Sequence, residues 1–202
     1  MIKLPTQFSN LEGSLTRALA DRRSVRRFAG KPLGLTQIAA IVWACQGRSN
    51  LKSRSTRRNA PSAGATYPMA TYLICGDSTV EGLDSGIYRY DVAEHGLEQV
   101  GTEDIRESVA SACFSQNFIA EAPASIITAA DYSITTSVYG QRGVRYVHME
   151  AGHAGQNIYL ACSVQGLGTV AVGAFNDEAL ARELNLPLNT EPLYVFPIGY
   201  PA

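Results

Sequence analysis

The chain has 202 residues, of which 46% are hydrophobic, and this is enough for one sizeable core, so we expect a single domain over residues 1–202. Its 17 Lys and Arg and 18 Asp and Glu give a net charge of −1, which argues against a general nucleic-acid or membrane binder. The longest apolar run, Ile38–Cys45, is too short to span a bilayer, and the chain starts without an apolar signal segment.

Charge is divided unevenly along the chain. Residues 1–58 contain twelve Lys and Arg against two acids, whereas residues 59–202 contain five against sixteen. A fold that brings these parts together is locally positive around a bound anion while the whole surface stays near neutral.

The cysteines are far apart in the sequence, mostly inside apolar runs, and no Cys-x-x-Cys pair occurs. They are Cys45, Cys75, Cys113 and Cys162. This pattern predicts reduced core residues rather than zinc ligands or disulfides, so we expect a cytoplasmic protein.

Helical signals come first in the chain. Apolar spacing predicts helices over Leu11–Arg22 and Gln37–Gln46, the second capped by Thr36 and ended by Gly47. The stretch Arg48–Asn59 has no apolar period and predicts an exposed loop or lid.

Strand and helix patterns then alternate without a regular βαβ repeat. Strands are expected at Ala70–Cys75, Gly86–Val92, Leu97–Val100, Ala124–Ala130, Gly168–Phe175 and Leu193–Ile198. Helices are expected over Asp104–Cys113 (capped by Thr102), Tyr139–Gln165 and Glu178–Leu184 (capped by Asp177). This order predicts an α+β fold with a small mixed central sheet flanked by helices. No G-x-G-x-x-G after a strand and no P-loop occurs, so any nucleotide cofactor is bound by another architecture.

The long helix is rich in small residues: Ala151, Gly152, Ala154, Gly155 and Ala161. Each glycine costs a helix interior about 1 kcal/mol relative to alanine. We therefore expect close approach by a second helix or by a flat ligand.

A basic cluster closes the first helix, with Arg22, Arg23, Ser24 and Arg26 as candidate ligands for a phosphate monoester. Guanidinium groups present paired donors that match phosphate oxygens. The alternative is a solvated helix end, where cations also complement the helix dipole.

The small residues Pro61, Ser62, Ala63 and Gly64 are candidates to contact a flat ligand through their backbone. Ser62 lacks the first glycine of a G-x-S-x-G elbow, so the pattern does not favour a nucleophilic serine. An ordinary turn or helix cap explains this stretch equally well.

His148 and His153 invite a metal interpretation, but a five-residue helical step turns the side chains about 140° apart, and metalloprotease chemistry needs the i, i+4 step. Glu150 and His153 match half of a di-iron pattern that has no second copy in the chain. We predict no metal site. His153 and Tyr67, and with them Tyr139, are candidate proton donors.

Together these segments resemble the nitroreductase superfamily of FMN-dependent oxidoreductases, and in detail its SagB-type dehydrogenase branch. The resemblance covers Ile2 to Pro201. It rests on seven short motifs that occur in the same order and spacing as in the family. They are Arg22–Phe28, Pro32-Leu33 leading into Trp43–Gly47, Arg58–Pro68, Arg145–Leu160, Gly166–Gly168, Gly173–Phe175 and Pro197–Pro201.

The resemblance implies a homodimer with the long helix at its interface and FMN bound there. Electrons would pass from NAD(P)H through FMN to a small organic acceptor, nitroaromatic or quinone-like, in ping-pong order. Arg22, Arg23, Ser24 and Arg26 would hold the phosphate and ribityl chain. The isoalloxazine ring would lie between the partner chain's Pro61, Ser62, Ala63 and Gly64 and the segment Val172, Gly173 and Ala174.

The chain also departs from the family pattern. No Lys or Arg follows the last strand, which leaves the phosphate to the N-terminal arginines, with Arg58 as a further candidate, and Ala65-Thr66 stand where an Asn is usual. SagB-type oxidation of peptide azolines to azoles is a second implied function, although no Lys-Tyr pair lies near these motifs. A non-catalytic flavin-binding module, or an RNA-binding module using Arg48–Arg58, is a third interpretation.

Overall fold

A seven-stranded sheet forms the centre of the molecule, as the computed structural model describes it for residues 1–49 and 56–202. The strands are β1 Ile2–Lys3, β2 Met69–Cys75, β3 Gly86–Asp91, β4 Gly96–Gly101, β5 Ala124–Asp131, β6 Gly168–Thr169 and β7 Thr190–Gly199, in the order β1-β4-β3-β2-β5-β7-β6. Every pairing between these strands is antiparallel. The parallel contacts Ser24 to Thr169 and Leu33 to Val80 are isolated bridges outside the paired strands, so the sheet is antiparallel and the expected mixed sheet is wrong in this respect.

Helices cover both faces of the sheet, which confirms the α+β class. They are α1 Leu15–Asp21, α2 Leu35–Gln46, α3 Arg106–Ala112, α4 Phe118–Glu121, α5 Tyr132–Tyr139, α6 Arg142–Val164 and α7 Asp177–Glu183. Because neighbouring residues of a strand face opposite sides, Ile126 of β5 belongs to the core under α2 and α6, and Ile127 to the core under α3 and α7. Within the described ranges, no helix is both long and apolar enough to cross a membrane.

Several helix ends differ from the prediction because side chains and glycines set them locally. Helix α1 starts after Ser14, whose Oγ accepts from Arg17 N at 3.3 Å, and not at Leu11. Helix α2 is capped at Gly34, whose N–H donates to Gln37 Oε1 at 2.9 Å, and not at Thr36.

The expected helix Tyr139–Gln165 is wrong at its start. Gly140, with φ 55°, ends α5 there, and α6 begins only at Arg142. Helix α5 itself was not predicted, although Asp131 caps it by accepting from Ser133 N at 2.9 Å.

The other two predicted caps are also wrong. Helix α3 begins at Arg106 after Ile105, with Asp104 Oδ1 accepting from Arg106 N, so Thr102 lies outside it. Helix α7 is capped by Asn176, whose Oδ1 accepts from Ala179 N at 2.8 Å, in place of Asp177.

The strand expected over Gly168–Phe175 is reduced to β6, followed by a single antiparallel bridge from Val172 to Val195. The chain leaves the sheet after Thr169, so the next residues form an irregular edge. The small residues of α6 mostly pack within the chain, because a Cβ on Gly155 would lie 2.9 Å from Phe196, whereas Gly152 faces open space.

Residues 50–55 of the loop expected over Arg48–Asn59 lie outside the described residues. The two ends of the loop are paired with each other, since Arg48 and Arg58 form an antiparallel bridge. Asn59 Nδ2 donates to Trp43 O at 2.7 Å, and both Arg58 and Asn59 are half-buried, so these two residues are not an exposed lid. The four cysteines are free and buried, as predicted.

Candidate functional site

A cavity of about 770 Å³ lies between the end of α1 and the C-terminal half of α6. Arg17, Arg22 and Arg23 line one side, and Tyr159 and Thr169 line the other. Thr169 is 1% exposed, and its Oγ1 has no hydrogen-bond partner in the described part of the chain. Because an unpaired buried hydroxyl is costly, this wall is suited to a polar ligand.

The arginines of the basic cluster have distinct positions. Arg22 is half-buried, with its guanidinium 5.1 Å from the centre of the Tyr159 ring. Arg23 Nη1 donates to Ala20 O at 2.7 Å and to Arg22 O at 2.8 Å, which closes the end of α1. Arg26 is exposed and is not among the residues that line the cavity.

Ser24 connects this cluster to the segment after β6. Ser24 Oγ and Tyr159 Oη are 3.0 Å apart, and Tyr159 Oη accepts from Ala171 N at 2.8 Å. Val172, directly after Ala171, is buried, whereas Gly173 and Ala174 are exposed. Tyr159 Oη therefore joins Ser24 to Ala171, the residue before the expected ring-side segment Val172–Ala174, although neither Ser24 nor that segment is among the residues that line the cavity.

Sequence reasoning missed Tyr159 and Thr169. Tyr159 shares a face of α6 with Cys162 and Ser163, three and four residues on, and all three line the cavity. Helical periodicity could have found it once one residue of that face was assigned, whereas Thr169 stands out only through its burial in three dimensions.

The second candidate group lies in Arg58–Tyr67, called here the 58–67 segment, which packs on the N-terminal half of α6. His153 Nδ1 lies 3.2 Å from Pro61 O and donates to it, because a carbonyl oxygen only accepts. A Cβ on Gly64 would lie 2.6 Å from Tyr139 Oη. The structure thus brings His153, Tyr139 and Tyr67 together around Pro61–Gly64.

Arg58 and Glu150 give the segment a buried charged support. Arg58 Nη1 donates to Gln46 Oε1 at 2.8 Å and to Met69 O at 3.1 Å, and Arg58 does not line the 770 Å³ cavity. Burial lowers the pKa of Arg58, and the charge of Glu150 opposes this. Burial raises the pKa of Glu150, opposed by hydrogen bonding from Ser62 and by the Arg58 charge.

A smaller cavity of about 420 Å³ borders Gly173. Tyr132 and His148 line it, with Tyr132 Oη and His148 Nε2 2.7 Å apart. Burial, followed by the charges of Glu191 and Asp177, raises the pKa of Tyr132 to about 12. His148 and His153 point to different neighbours, as the five-residue step predicted.

Within one chain the candidates form two groups. His153 contacts the 58–67 segment, and Tyr159 contacts the basic cluster; these two residues are about 9 Å apart along α6 and about 120° apart around it. Arg22 and Arg23 therefore line the 770 Å³ cavity, and Ser24 and Ala171 are joined to it through Tyr159. Pro61 contacts another face of the same helix.

Known proteins share this arrangement over the whole chain. The Nitroreductase family profile matches residues 19–200. Protein MJ1384 of Methanocaldococcus jannaschii, which is assigned as a nitroreductase, is 43% identical over 188 residues, 93% of this chain and 91% of that protein. The crystal structure of a Ralstonia eutropha protein, also assigned as a nitroreductase, is 28% identical and superposes with a TM-score of 0.86 over 100% of this chain and 89% of that one.

A further relative is the microcin B17-processing protein McbC of Escherichia coli. It is 28% identical over 145 residues, which is 70% of this chain, and the chain spans about half, 53%, of its length. The family profile covers both candidate groups and every strand described above except β1. The chain belongs to the nitroreductase family and, as this membership supports, is an oxidoreductase.

Proposed function

We propose that the chain, as one domain over residues 1–202, is an FMN-dependent oxidoreductase. It takes electrons from NAD(P)H and passes them to a small organic acceptor, nitroaromatic or quinone-like. The observation that carries this proposal is the 770 Å³ cavity, which joins Arg22 and Arg23 to the unpartnered, buried Thr169 hydroxyl.

The residues present fit FMN. A phosphate monoester requires charge-assisted donors, which Arg22 and Arg23 supply at the cavity wall, and the Thr169 hydroxyl gains a partner from a polar ligand. The exposed backbone at Gly173 suits a planar ring system with a polar edge.

In the proposed complex, Arg22, Arg23, Ser24 and Arg26 bind the phosphate and ribityl chain. Val172, Gly173 and Ala174 would lie beside the ring, and the exposed backbone of Gly173 or Ala174 would supply an N–H donor to its polar edge, because Val172 N already donates to Val195 O. When bound, FMN supplies the two-electron transfer between donor and acceptor in ping-pong order, and the protein binds it, orients it and excludes water from it.

We further propose a homodimer in which the partner chain's Pro61, Ser62, Ala63 and Gly64 cover the ring. The separation of the two groups on α6 supports this, because Pro61–Gly64 lie on another face of α6 from the 770 Å³ cavity. Exposed apolar side chains on α1, α5 and α6 also support a covered surface: Leu15 (64% exposed), Leu19 (52%), Val138 (62%) and Met149 (51%).

The acceptor would enter the 420 Å³ cavity beside Gly173. There Tyr132 and His148 offer a hydroxyl and an imidazole within hydrogen-bond distance of each other. This pair can hold a proton at the edge of the proposed flavin site.

The test is the visible absorption spectrum of the purified protein, with identification of the released chromophore, before and after anaerobic addition of NADPH. FMN bands that bleach with NADPH support the reductase. A colourless protein that fails to take up added FMN would refute the flavin assignment, and FMN that is bound but transfers electrons to no acceptor would indicate a binding module.

A second candidate function is favoured by the similarity to McbC, a microcin-processing protein. In this case the chain would be a SagB-type dehydrogenase that oxidises peptide azolines to azoles with FMN as the immediate oxidant, acting with partner proteins. Bound FMN that is not bleached by NADPH, but is bleached anaerobically by an azoline-containing peptide, would support this reaction over the reductase.

A further inference from the structure

The chain between β6 and α7 is anchored at two points by backbone hydrogen bonds. Val172 and Val195 exchange two bonds of 2.9 Å, and further along Asn176 N donates to Ala112 O of α3 at 2.9 Å. Between these anchors, the backbone N–H groups of residues 173–174 donate to no other group in the described part of the chain. They are therefore available to a ligand, and no bond of their own fixes their direction.

Gln116 supplies the contact between the two anchors. Its Nε2 donates to Ala174 O at 3.3 Å and to Cys113 O at 2.9 Å, so both hydrogens of the amide are used. No other group of the described residues donates to Ala174 O. Because a peptide unit is planar, holding the Ala174 carbonyl also fixes the plane that contains the Ala174 Cα and the Phe175 N–H. Gln116 thus limits how the backbone can rotate between the anchors.

The place of Gln116 depends on a strained turn after α3. Phe114 and Ser115 have φ angles of 56° and 59°, in the left-handed region that residues with side chains rarely adopt. Such conformations persist only where the surroundings determine them strongly. Directly after the turn, Gln116 O accepts from Ile119 N of α4 at 3.0 Å. The Gln116 side chain therefore starts from a fixed backbone and joins the end of α3 to the ring-side segment Val172–Ala174.

We propose that Gln116 is a positioning residue: its amide ties Ala174 O to the end of α3, and so holds the Gly173 and Ala174 N–H groups in place for the polar edge of FMN. The flavin part of this inference rests on the proposed function. Gln116 acts through the backbone of the ring-side segment and touches no reacting atom.

A donor at the edge of the ring affects the two redox states of a flavin differently. A ring nitrogen that accepts a hydrogen bond in oxidised FMN carries a proton in reduced FMN and no longer accepts, so such a bond tunes the reduction potential. Loss of an aligned donor should therefore weaken the binding of oxidised FMN more than that of reduced FMN. A residue that only stabilises the fold would change both affinities alike.

Two substitutions separate the lost donors from other changes at this position. Gln116→Glu keeps the shape of the side chain and removes both N–H donors, and Gln116→Met removes them without adding a charge, so an effect common to both is due to the lost donors. The control is Gln99→Met, because Gln99 Nε2 donates to Ser85 O at the same distance of 3.3 Å, at an exposed position of β4.

The first measurement uses the apoproteins and needs no cofactor. Amide hydrogen exchange, followed by NMR, is compared at the two anchors, Val172 and Asn176, and at Cys113, whose N–H donates to Val109 O at 3.0 Å and reports on the end of α3. The second measurement combines a fluorescence titration with oxidised FMN and an anaerobic determination of the reduction potential of the bound FMN, which together give the affinity for reduced FMN.

We expect both Gln116 variants to exchange the Val172 and Asn176 amides about fivefold faster than the wild type and Gln99→Met. Oxidised FMN should bind about tenfold more weakly and reduced FMN with unchanged affinity, which raises the reduction potential by about 30 mV. Unchanged exchange at Val172 and Asn176 would overturn the inference. Faster exchange confined to Cys113 and Asn176 would also overturn it, because Gln116 would then only cap α3.

The flavin part is decided separately. Faster exchange at both anchors with a wild-type reduction potential would overturn that part alone. A wild type that takes up no FMN would refute the proposed function and the flavin part with it, whereas the exchange of the apoproteins would still decide whether Gln116 holds the ring-side segment.

Discussion

The basic cluster Arg22–Arg26 and the 58–67 segment are proposed to contact the same cofactor, but the chain constructs them in opposite ways. In the first, Arg23, Ser24 and Arg26 are exposed and the backbone keeps negative φ angles. In the second, Gly64, Ala65 and Tyr67 adopt positive φ angles, and contacts come from α2, α5 and α6.

The comparison indicates that the proposed affinity for the cofactor phosphate and the conformation of the 58–67 segment depend on different properties of the chain. The cluster depends on residue type, because a guanidinium binds phosphate from many backbone positions. The segment depends on tertiary contacts that hold an unfavourable backbone in place. Damage to the cluster should therefore reduce binding and leave the fold intact, whereas damage to the segment should reduce stability or local order.

The largest expected effect tests the cluster. Arg22→Ala combined with Arg26→Ala removes a guanidinium from the cavity wall and a second positive charge from the exposed part of the cluster, and should weaken FMN binding by about 3 kcal/mol, on the order of a hundredfold. The measurement is flavin content after purification, with a fluorescence titration of the apoprotein. Arg89→Ala combined with Arg182→Ala removes two exposed arginines elsewhere and should leave both unchanged. Full flavin content in the first variant would place the phosphate elsewhere.

The next effect tests the strain of the segment. Gly64→Ala adds a Cβ at φ 58°, only 2.6 Å from Tyr139 Oη, and should lower the free energy of unfolding of the apoprotein by about 2 to 3 kcal/mol. Gly82→Ala, with φ 77° and nothing within 4 Å, bears only the backbone cost of about 1 to 2 kcal/mol. Urea unfolding of both variants gives the difference.

Tyr139→Phe makes this test specific. Without Oη the nearest atom to the new Cβ is Cζ at 3.3 Å, so the double variant Gly64→Ala, Tyr139→Phe should fall back to the cost seen in Gly82→Ala. Equal costs for Gly64→Ala and Gly82→Ala would show that the contact with Tyr139 is not tight.

The same contrast explains what the sequence could predict. The α+β class, six of the seven strands and the basic cluster follow from residue type, apolar spacing and charge, all of which are local properties. The sequence motif at Pro61–Gly64 was visible too, but the left-handed angles at Ala65 and Tyr67 were not, since neither residue type prefers them.

The errors have local physical causes that compete with periodicity. Gly140 interrupts an apolar pattern that otherwise continues into α6, and Asn176 caps α7 one residue before the expected Asp177. Glu150 and Thr169 gain their importance from burial beside polar neighbours, which depends on elements far away in sequence. Their roles could therefore be inferred only from the fold.

A smaller effect tests the link between the cluster and the segment after β6. Tyr159→Phe removes the acceptor of Ala171 N and the partner of Ser24 Oγ, and should cost about 1 to 3 kcal/mol of stability because one backbone donor loses its bond. Tyr194→Phe is the matched control, since Tyr194 Oη has no hydrogen bond in the described residues and Tyr194 lies in β7. The measurement is the thermal unfolding midpoint of both apoproteins. Equal midpoints would contradict a stabilising role for the hydrogen bonds of Tyr159 Oη.

The smallest expected effect is on how the stability of the fold depends on pH, and it compares two buried titratable residues, His95 and Glu150. Buried His95 accepts from Tyr90 Oη at Nδ1 (2.7 Å) and donates from Nε2 to Pro5 O (2.9 Å), and burial lowers its pKa below 6.5. In the unfolded chain His95 takes up a proton near pH 6.5 while the folded protein stays neutral, so stability should fall as pH decreases below 6.5.

Glu150 acts in the opposite sense, because its raised pKa makes stability fall as pH increases through it. His95→Gln should therefore remove the loss on the acidic side and leave a profile in which stability declines as pH rises above the usual Glu range, whereas Glu150→Gln should remove that decline and leave the acidic loss. Urea unfolding of the apoproteins between pH 5 and pH 8 measures both. If the free energies of unfolding of the two variants depended on pH in the same way, neither His95 nor Glu150 would titrate differently in the folded and unfolded chain. The two regions would then not differ in how charge affects their stability.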